Sequence, residues 1–238
     1  MGHYLAVFAF PAVAVVVIGY LLGSVSSAVI FTKLFGNNTD IRSVGSGNAG
    51  MTNVLRSVGA KAAVFTSILD FAKCFAASLI GRVIFQNVCS ANGAPPYIAQ
   101  YGTLLAGLAC VLGHIFPVYF GFRGGKGILS TSALMLVFDW RIFVIAISVF
   151  VITLLITKII SISSILAAAS FPVSMFLTTY GDYLSHASRY GTPPAAYIAV
   201  TTSVAFLFAV ILIAKHGPNI RRLRDGTEKR VSVKHKEN

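Results

Sequence analysis

Three short segments of the chain combine glycine with cationic, hydroxyl and amide side chains. They span residues 40–56, 121–131 and 215–228. Glycine lets backbone N–H groups approach a ligand closely, and consecutive N–H groups can form a concave anion-binding nest. Arginine and lysine add the positive charge that attracts a phosphate group. Their composition therefore predicts a site for phosphorylated molecules.

The first segment contains "GSGN" at Gly45–Asn48, with Arg42 and Arg56 on either side. We expect its N–H groups and hydroxyls to cradle a phosphate, while Arg42 supplies a forked cation. A flexible loop whose arginines only set membrane topology would explain the same residue types. A lone glycine-rich loop is weak support for a site, so both interpretations stay open at this point.

The second segment contains "GGKG" at Gly124–Gly127, followed by Ser130 and Thr131. A lysine between glycines, directly before an apolar run, again indicates a site for a phosphate group. The segment is not a P-loop, because that pattern needs serine or threonine directly after the lysine, where Gly127 stands. A tight turn with a topology-setting lysine is the alternative.

The third segment reads "KHGPNIRRLRDGTEK" from Lys215 to Lys229. Gly217 can end an apolar helix, and Pro218 can begin a short one. His216 and Asn219 would then lie at the junction, where they could reach a substrate at the membrane surface. A basic amphipathic tail that only anchors to lipid would explain the arginines, but it explains these two residues poorly.

The composition indicates the kind of protein that carries these segments. Of the 238 residues, 56% are hydrophobic and only 11% are charged, whereas soluble domains carry about a quarter charged residues. We expect an all-α integral membrane protein, a single polytopic domain over 1–238 with a basic cytoplasmic tail at 215–238. The net charge of +12 favours anionic headgroups or substrates over nucleic acid as partners. The three cysteines lack metal-ligand spacing, so no disulfide or zinc site is expected.

The apolar runs are close to the length of about 20 residues that a helix needs to cross a bilayer. Seven are expected, near 5–31, 62–85, 98–120, 127–138, 141–157, 160–180 and 195–214. The fourth is short and follows "GFRGGKG". That pattern predicts a re-entrant or broken entry, which is tolerated only where the backbone is buried in protein or lines a wet cavity.

Lysine and arginine predict the orientation of these spans. Of the 19 such residues, Lys73 falls inside a span, while Arg82, Arg141 and Arg189 fall on one side of the membrane. The other fifteen, including those of the tail, fall on the opposite side. Because cytoplasmic loops are enriched in positive charge, we expect a cytoplasmic C-terminus and an outside N-terminus. All three polar segments then face the cytoplasm.

Two ionisable residues lie deep within the second span. Asp70 and Lys73 are three residues apart, and charges at membrane depth are costly and usually paired. We therefore expect a structural ion pair. His114, at the end of the third span before Pro117, is as compatible with packing as with a site role.

The segments together resemble the bacterial acyl-phosphate-dependent glycerol-3-phosphate acyltransferases, small membrane enzymes that begin phospholipid synthesis. The resemblance covers nearly the whole length and lies in "GS" at 23–24, "DIRSVGSGNAGMTNVLR" at 40–56, "LGHIFPVYFGFRGGKG" at 112–127 and "HGPNIRRLRDGTE" at 216–228. It implies seven spans in the bacterial cell (inner) membrane, with the active site on the cytoplasmic side. It also implies transfer of a fatty acyl group from acyl phosphate to the 1-hydroxyl of glycerol 3-phosphate, giving lysophosphatidic acid and phosphate.

The chain departs from the family's usual pattern at a few positions. Ser26 and Ser27 stand where the family has proline soon after the serine of the first span. In the second motif Ser130 takes the hydroxyl position, with Thr131 as the alternative. Lys73 is followed by cysteine where the family often has glycine. None of these changes removes a charged site residue, so we expect an active enzyme.

Residue types and resemblance together predict the site. The expected catalytic residues are Arg42, Ser46, Asn48, Lys126, His216 and Asn219, and the expected substrate-binding residues are Ser24, Gly45, Gly47, Thr52, Asn53, Gly125, Gly127 and Ser130. An acyl phosphate is already activated, so its chemistry calls for cations and donors that hold two anions together, without a metal or other cofactor. The expected partners are the two small substrates and membrane lipid. The oligomeric state stays open, and a monomer is compatible with this account.

Other classes fit the sequence less well. The H-x-x-x-x-D motif of coenzyme A-type acyltransferases is absent, because the residues five positions after His3, His114, His186 and His216 are Phe8, Tyr119, Gly191 and Arg221. A transporter for a phosphorylated solute would place polar gating groups on the outer half and often carry an internal repeat, and neither is visible. A lipid-binding scaffold would leave segments 40–56 and 121–131 unexplained.

Overall fold

The structure, a computed structural model, describes residues 2–185 and 191–231, and no strand occurs in that part of the chain. The α-helices are α1 (Gly2–Gly23), α2 (Ser27–Phe35), α3 (Met51–Ser57), α4 (Ala60–Asn92), α5 (Ala99–Ile115), α6 (Ile128–Phe138), α7 (Trp140–Thr157), α8 (Ile160–Ser185), α9 (Ala195–Ala214) and α10 (Gly217–Arg224). Single-turn 3₁₀ helices lie at Ile41–Ser43, Pro96–Ile98 and Val118–Phe120. The all-α prediction is confirmed.

Six stretches of the described chain are long and apolar enough to cross a membrane, which makes this an integral membrane protein. They are Ala6–Phe35, Ala60–Asn92, Pro96–Phe120, Trp140–Thr157, Ile160–Ser185 and Ala195–Ala214. The remaining predicted span corresponds to α6, an apolar helix of 11 residues. Its irregular, glycine-rich entry at 121–127 is present as predicted.

The first span differs from the prediction, because it is broken rather than continuous. The α1 helix ends at Gly23 and α2 begins at Ser27. The break frees the main-chain carbonyl of Val25, which accepts a hydrogen bond of 2.8 Å from the Lys73 ammonium. Unpaired backbone groups are costly in a membrane interior, so such a break persists only where the protein itself supplies partners.

The chain forms two compact units, of which the first contains Met1–Trp140. Within it α5 is the central helix and packs against α1, α4 and α6. Small residues permit this packing. A Cβ at Gly19 or Gly23 of α1 would overlap the carbonyl oxygen of Ala106 or Cys110 on α5.

The α4 helix approaches α5 in the same way. Gly81 and Gly102 face each other so closely that a Cβ on either would overlap the carbonyl oxygen of the other. Close backbone approach at small residues is a main source of helix association in membranes, where lipid is as apolar as the helices. This packing fixes the ends of α4 and α5. The first polar segment leads through α3 into α4, and the second follows α5.

The second unit comprises α7 from Arg141 onward, with α8, α9 and α10. The α8 helix packs against α9. A bidentate ion pair joins Arg141 to Asp182, with both N···O distances at 2.8 Å. The predicted single domain stays a prediction, and the charges at Arg189, Lys234 and Lys236 lie outside the described residues.

The close contact of α4 with α5 yields a test of stability. We expect Gly102→Val to lower the thermal midpoint in detergent micelles, because the added methyls meet the Gly81 carbonyl and the Phe85 side chain. Overpacking of this kind costs about 1–3 kcal/mol. Gly181→Val is the matched control, since a Cβ at this exposed position of α8 meets nothing within 4 Å. Equal midpoints for the two variants would contradict the packing.

Candidate functional site

The first unit brings the first two polar segments together, and Arg42 joins them. Its guanidinium forms a bidentate ion pair with the Asp40 carboxylate, with Nη2–Oδ2 at 2.7 Å and Nε–Oδ1 at 3.0 Å. Its Nη1 donates to the Phe120 carbonyl at 2.6 Å, just before the second segment. The side chain is about one quarter exposed (25%), so Arg42 can still face a ligand while it links the two segments.

Asp40 orients this arginine and keeps its own charge. One carboxylate oxygen accepts the Arg42 backbone N–H at 2.9 Å and thereby caps the 3₁₀ turn Ile41–Ser43. The hydrogen bonds from the Arg42 side chain lower the pKa of the Asp40 carboxyl below its usual value. No role was predicted for Asp40 from the sequence. An acid two residues before an arginine at a turn start is the signal that could have identified it.

Asn53 holds the "GSGN" loop closed. Its side-chain N–H₂ donates to the carbonyls of Ile41 and Val44, and its oxygen accepts the Ser46 N–H at 2.9 Å. The side chain is buried, and a Cβ at Gly45 would overlap its oxygen. Asn53 was predicted to bind substrate, and the structure gives it a positioning role through three main-chain contacts.

The predicted nest of N–H groups is not present at the centre of this loop. The Ser46 N–H is donated to Asn53, and the Gly47 N–H is donated to the Val44 carbonyl at 3.0 Å. Gly45 and Gly47 adopt positive φ angles of 60° and 69°, which create this tight turn. The exposed Ser46 side chain and the half-buried Thr52 and Asn48 side chains are polar side chains of the loop that can face a ligand, together with Arg42.

The second segment lies directly on the first. A Cβ at Gly125 would overlap the His114 ring nitrogen Nε2 and would come within 2.7 Å of the Ala49 carbonyl oxygen. Only glycine fits between the imidazole and the first loop. The Gly125 N–H donates to the His114 carbonyl at 3.1 Å, which fixes the backbone just before the half-buried Lys126.

Gly127 turns the chain into α6 with a φ of 85°, and two hydroxyls follow it. Thr131 donates to the Gly127 carbonyl at 2.8 Å, and Ser130 donates to the Asp70 carbonyl at 3.1 Å. Both side chains are buried. The two candidates for a substrate-binding hydroxyl therefore both support the local backbone in this structure.

Ser24 connects the broken first span to the chain before the glycine-rich segment. Its hydroxyl donates to the Tyr20 carbonyl at 2.8 Å and accepts the Val118 N–H at 3.3 Å. The side chain is fully buried. Ser24 was predicted to bind substrate, and here it fixes the Val118–Phe120 turn whose carbonyl holds Arg42.

A buried polar cluster lies beneath these segments. Lys73 Nζ is 2.8 Å from Asp70 Oδ1 and 3.1 Å from His114 Nδ1. The Ser27 hydroxyl donates to the same Asp70 oxygen. The predicted ion pair of Asp70 and Lys73 is present, and it extends to α5 through His114, whose two alternative roles the sequence left open.

The third segment lies in the second unit, where Glu228 organises it. Glu228 accepts hydrogen bonds from Asn219 at 2.7 Å, from Ser161 at 2.9 Å and from Arg222 at 2.6 Å. Burial raises the pKa of this carboxyl, but the three donors outweigh burial and hold the pKa below its usual value of 4.5. Sequence reasoning missed this role, because Ser161 is 67 residues away along the chain.

His216 is buried directly before α10, whose start the Pro218 signal predicted. Gly217 does not end the preceding helix as predicted, because α9 already ends at Ala214 and Gly217 is the first residue of α10. The His216 Nδ1 lies 2.8 Å from the Leu212 carbonyl, which can only accept. The ring proton is therefore on Nδ1, so Nε2 carries the lone pair in the neutral state.

Comparison with known proteins identifies relatives over nearly the whole chain. The family model Glycerol-3-phosphate acyltransferase matches residues 13–226. A Glycerol-3-phosphate acyltransferase of Brucella suis biovar 1 is 33% identical over 222 residues, covering 93% of this chain and 94% of its own. One of Coxiella burnetii is 37% identical over 218 residues, covering 92% and 97%.

Solved structures of one protein are also similar to this chain. They are crystal structures of PlsY (YgiH), an integral membrane glycerol 3-phosphate acyltransferase. Its glycerol 3-phosphate form has a TM-score of 0.70 and 31% identity, covering 93% of this chain and 96% of that one. Its lysophosphatidic acid form has a TM-score of 0.70 and 29% identity, with 93% and 95% covered.

The Glu228 network predicts a pH-dependent difference in stability. Because the folded carboxyl has a lowered pKa, its contribution is full well above pH 4.5 and is lost as the pH falls through the folded value. We expect Glu228→Gln to lower the thermal midpoint at about pH 7, because hydrogen bonds to a charged group contribute about 1.5–3 kcal/mol. The deficit should shrink as the pH falls below about 4.5.

The exposed Asp225, three residues before Glu228, provides the control. Asp225→Asn should leave the midpoint nearly unchanged at both pH values, since exposed surface substitutions stay within about 0.5 kcal/mol. A Glu228→Gln deficit that is the same at pH 4 and pH 7 would contradict the proposed charge on Glu228.

Proposed function

The chain belongs to the glycerol-3-phosphate acyltransferase family, and from that premise we propose its reaction. The enzyme transfers a fatty acyl group from acyl phosphate to the 1-hydroxyl of glycerol 3-phosphate. The products are lysophosphatidic acid and inorganic phosphate. The similar PlsY structures, a glycerol 3-phosphate form and a lysophosphatidic acid form, support this choice of acceptor and product.

The proposal rests on one observation: two glycine-rich segments, each with a cationic residue, are in direct contact. Gly125 packs on the Ala49 carbonyl, and Arg42 donates to the Phe120 carbonyl. Arg42 and Lys126 thus belong to segments that the fold holds side by side. Two cations on adjoining segments fit a reaction in which two phosphate-bearing molecules must be held together.

The chemistry requires little beyond such positioning. The 1-hydroxyl oxygen attacks the acyl carbonyl carbon, and a new C–O ester bond forms. The bond from that carbon to the phosphate oxygen breaks, and the hydroxyl proton ends on the released phosphate. Because phosphate is a good leaving group, no covalent enzyme intermediate is needed. Cations that stabilise the charge developing on the carbonyl and phosphate oxygens supply the catalysis.

The site residues take their proposed roles from this chemistry and from the contacts described above. Arg42 and Lys126 neutralise the two phosphates, and the hydroxyls of Ser46 and Thr52 bind phosphate oxygens. Asn53, Ser24 and Ser130 position the backbone of the two segments. The family resemblance implies that His216 and Asn219 orient glycerol 3-phosphate, and these roles remain part of the proposal.

Acyl phosphate is the proposed donor rather than an acyl thioester. The family resemblance supports it, and the H-x-x-x-x-D motif of thioester-dependent enzymes is absent from the sequence. The cationic side chains near the two glycine segments also suit a donor that itself carries a phosphate.

The proposal extends to topology and location. The proposal counts the short helix α6, together with its glycine-rich entry, as a seventh crossing beside the six longer spans. The charge bias then places the N-terminus outside and the C-terminus, with the active site, on the cytoplasmic side of the bacterial inner membrane.

Lys126 gives the first test of this site. We expect Lys126→Met to reduce kcat/KM by at least about a hundredfold, comparable with the loss of one stabilising group at a developing oxyanion. Arg123→Met is the matched control, because it removes an exposed cation from the same segment. A Lys126→Met variant that folds and keeps the turnover of Arg123→Met would overturn the assignment.

The donor is tested with purified protein in lipid and glycerol 3-phosphate as acceptor. Palmitoyl phosphate should give lysophosphatidic acid, and palmitoyl coenzyme A should give none. Product from the thioester at a comparable rate would overturn the donor assignment while leaving the acceptor intact.

A further inference from the structure

The His114 imidazole lies between the buried ion pair and the glycine-rich segment. Its Nδ1 edge faces inward, 3.1 Å from Lys73 Nζ and 3.2 Å from Asp70 Oδ1. Its Nε2 edge faces Gly125, where a Cβ would overlap this nitrogen. The residue is only 8% exposed, so the polar atoms at both edges need partners.

The surroundings of Lys73 determine which ring nitrogen carries the proton. The ammonium has three protons and meets three acceptors, which are Asp70 Oδ1, the Val25 carbonyl and His114 Nδ1. Lys73 and Asp70 balance each other in charge, so a neutral imidazole keeps the buried cluster uncharged, which is least costly at membrane depth. Nδ1 therefore accepts from Lys73, and the proton of the neutral ring is on Nε2.

The Nε2–H group is thus a donor at the junction of the two segments, on a side chain that is only 8% exposed. Within residues 2–185 and 191–231, the polar contacts of the His114 ring are all made by Nδ1. The Ala49 carbonyl of the first segment borders the same glycine. A polar N–H group on a largely buried side chain normally has an acceptor, and a ligand held by these two segments would supply one.

We propose that His114 binds substrate by donating a hydrogen bond from Nε2–H to a phosphate oxygen held at Gly124–Gly127. The Asp70–Lys73 pair positions the ring and fixes its tautomer. This assignment rests on the proposed function, in which both substrates carry a phosphate. The phosphate oxygen is the shared chemistry, and separate KM values for acyl phosphate and glycerol 3-phosphate identify which substrate supplies it.

Two amide substitutions separate ligand binding from support of the ion pair. The glutamine amide nitrogen reaches the position of Nε2, whereas the asparagine amide reaches that of Nδ1. We expect His114→Asn to lower kcat/KM by about ten- to a hundredfold, which is the effect of losing one hydrogen bond to a charged group. The loss should lie mainly in a higher KM for one of the two substrates. His114→Gln should retain about tenfold more activity than His114→Asn. The opposite order, at equal thermal midpoints, would mean that His114 only supports Asp70 and Lys73.

Nitrogen NMR of isotope-labelled histidine tests the same assignment without turnover. The His114 signals, identified by their loss in His114→Gln, should show a protonated Nε2 and an unprotonated Nδ1. Glycerol 3-phosphate or inorganic phosphate at saturation should shift the Nε2 signal. A proton on Nδ1, or an Nε2 signal that neither compound nor an acyl phosphate shifts, would overturn the proposal. Wild-type protein that lacks transferase activity but shows the phosphate-induced shift would instead overturn the proposed function.

Discussion

The Lys73 ammonium joins three parts of the membrane bundle whose polar groups have no water to bond to. It satisfies the carboxylate of Asp70 on its own helix, the Val25 carbonyl at the break in the first span, and the ring of His114 on α5. In the membrane interior each of these groups would be costly alone. Together they stabilise the irregular backbone on which both glycine-rich segments of the first unit depend.

The segments above this cluster are held mainly by contacts among themselves. Asn53 closes the first loop, Ser24 holds the turn before the second, and Arg42 bridges the two. The structure thus uses several polar side chains for positioning and leaves few for substrate. A reaction with an activated donor is suited to such a site, because orientation and fixed positive charge can supply most of the catalysis.

Arg42 shows how the same charge serves both purposes. Its contact with Asp40 fixes the guanidinium plane and offsets part of its charge, while its Nη1 bonds to the Phe120 carbonyl and links the two segments. The pairing with Asp40 also offsets the cost of holding this cation in a half-buried position.

The sequence predicted the features that depend on local composition. The apolar runs, the glycine-rich entry to α6, the start of α10 and the pairing of Asp70 with Lys73 follow from residue type and spacing. The break at Ser24–Ser26 did not, because it depends on Lys73, which is 48 residues from Val25. The role of Asn53 and the use of the Ser46 and Gly47 N–H groups within the loop depend on how the turn closes, which glycine content alone does not determine.

The central claim is that the acyl group passes directly between two substrates held side by side. The most direct measurement incubates the purified protein in lipid with palmitoyl phosphate and radiolabelled inorganic phosphate, with and without glycerol 3-phosphate. The account predicts that phosphate is released only when glycerol 3-phosphate is present, and that no label enters palmitoyl phosphate in its absence. Label exchange without the acceptor would reveal a covalent acyl-enzyme and would contradict direct transfer.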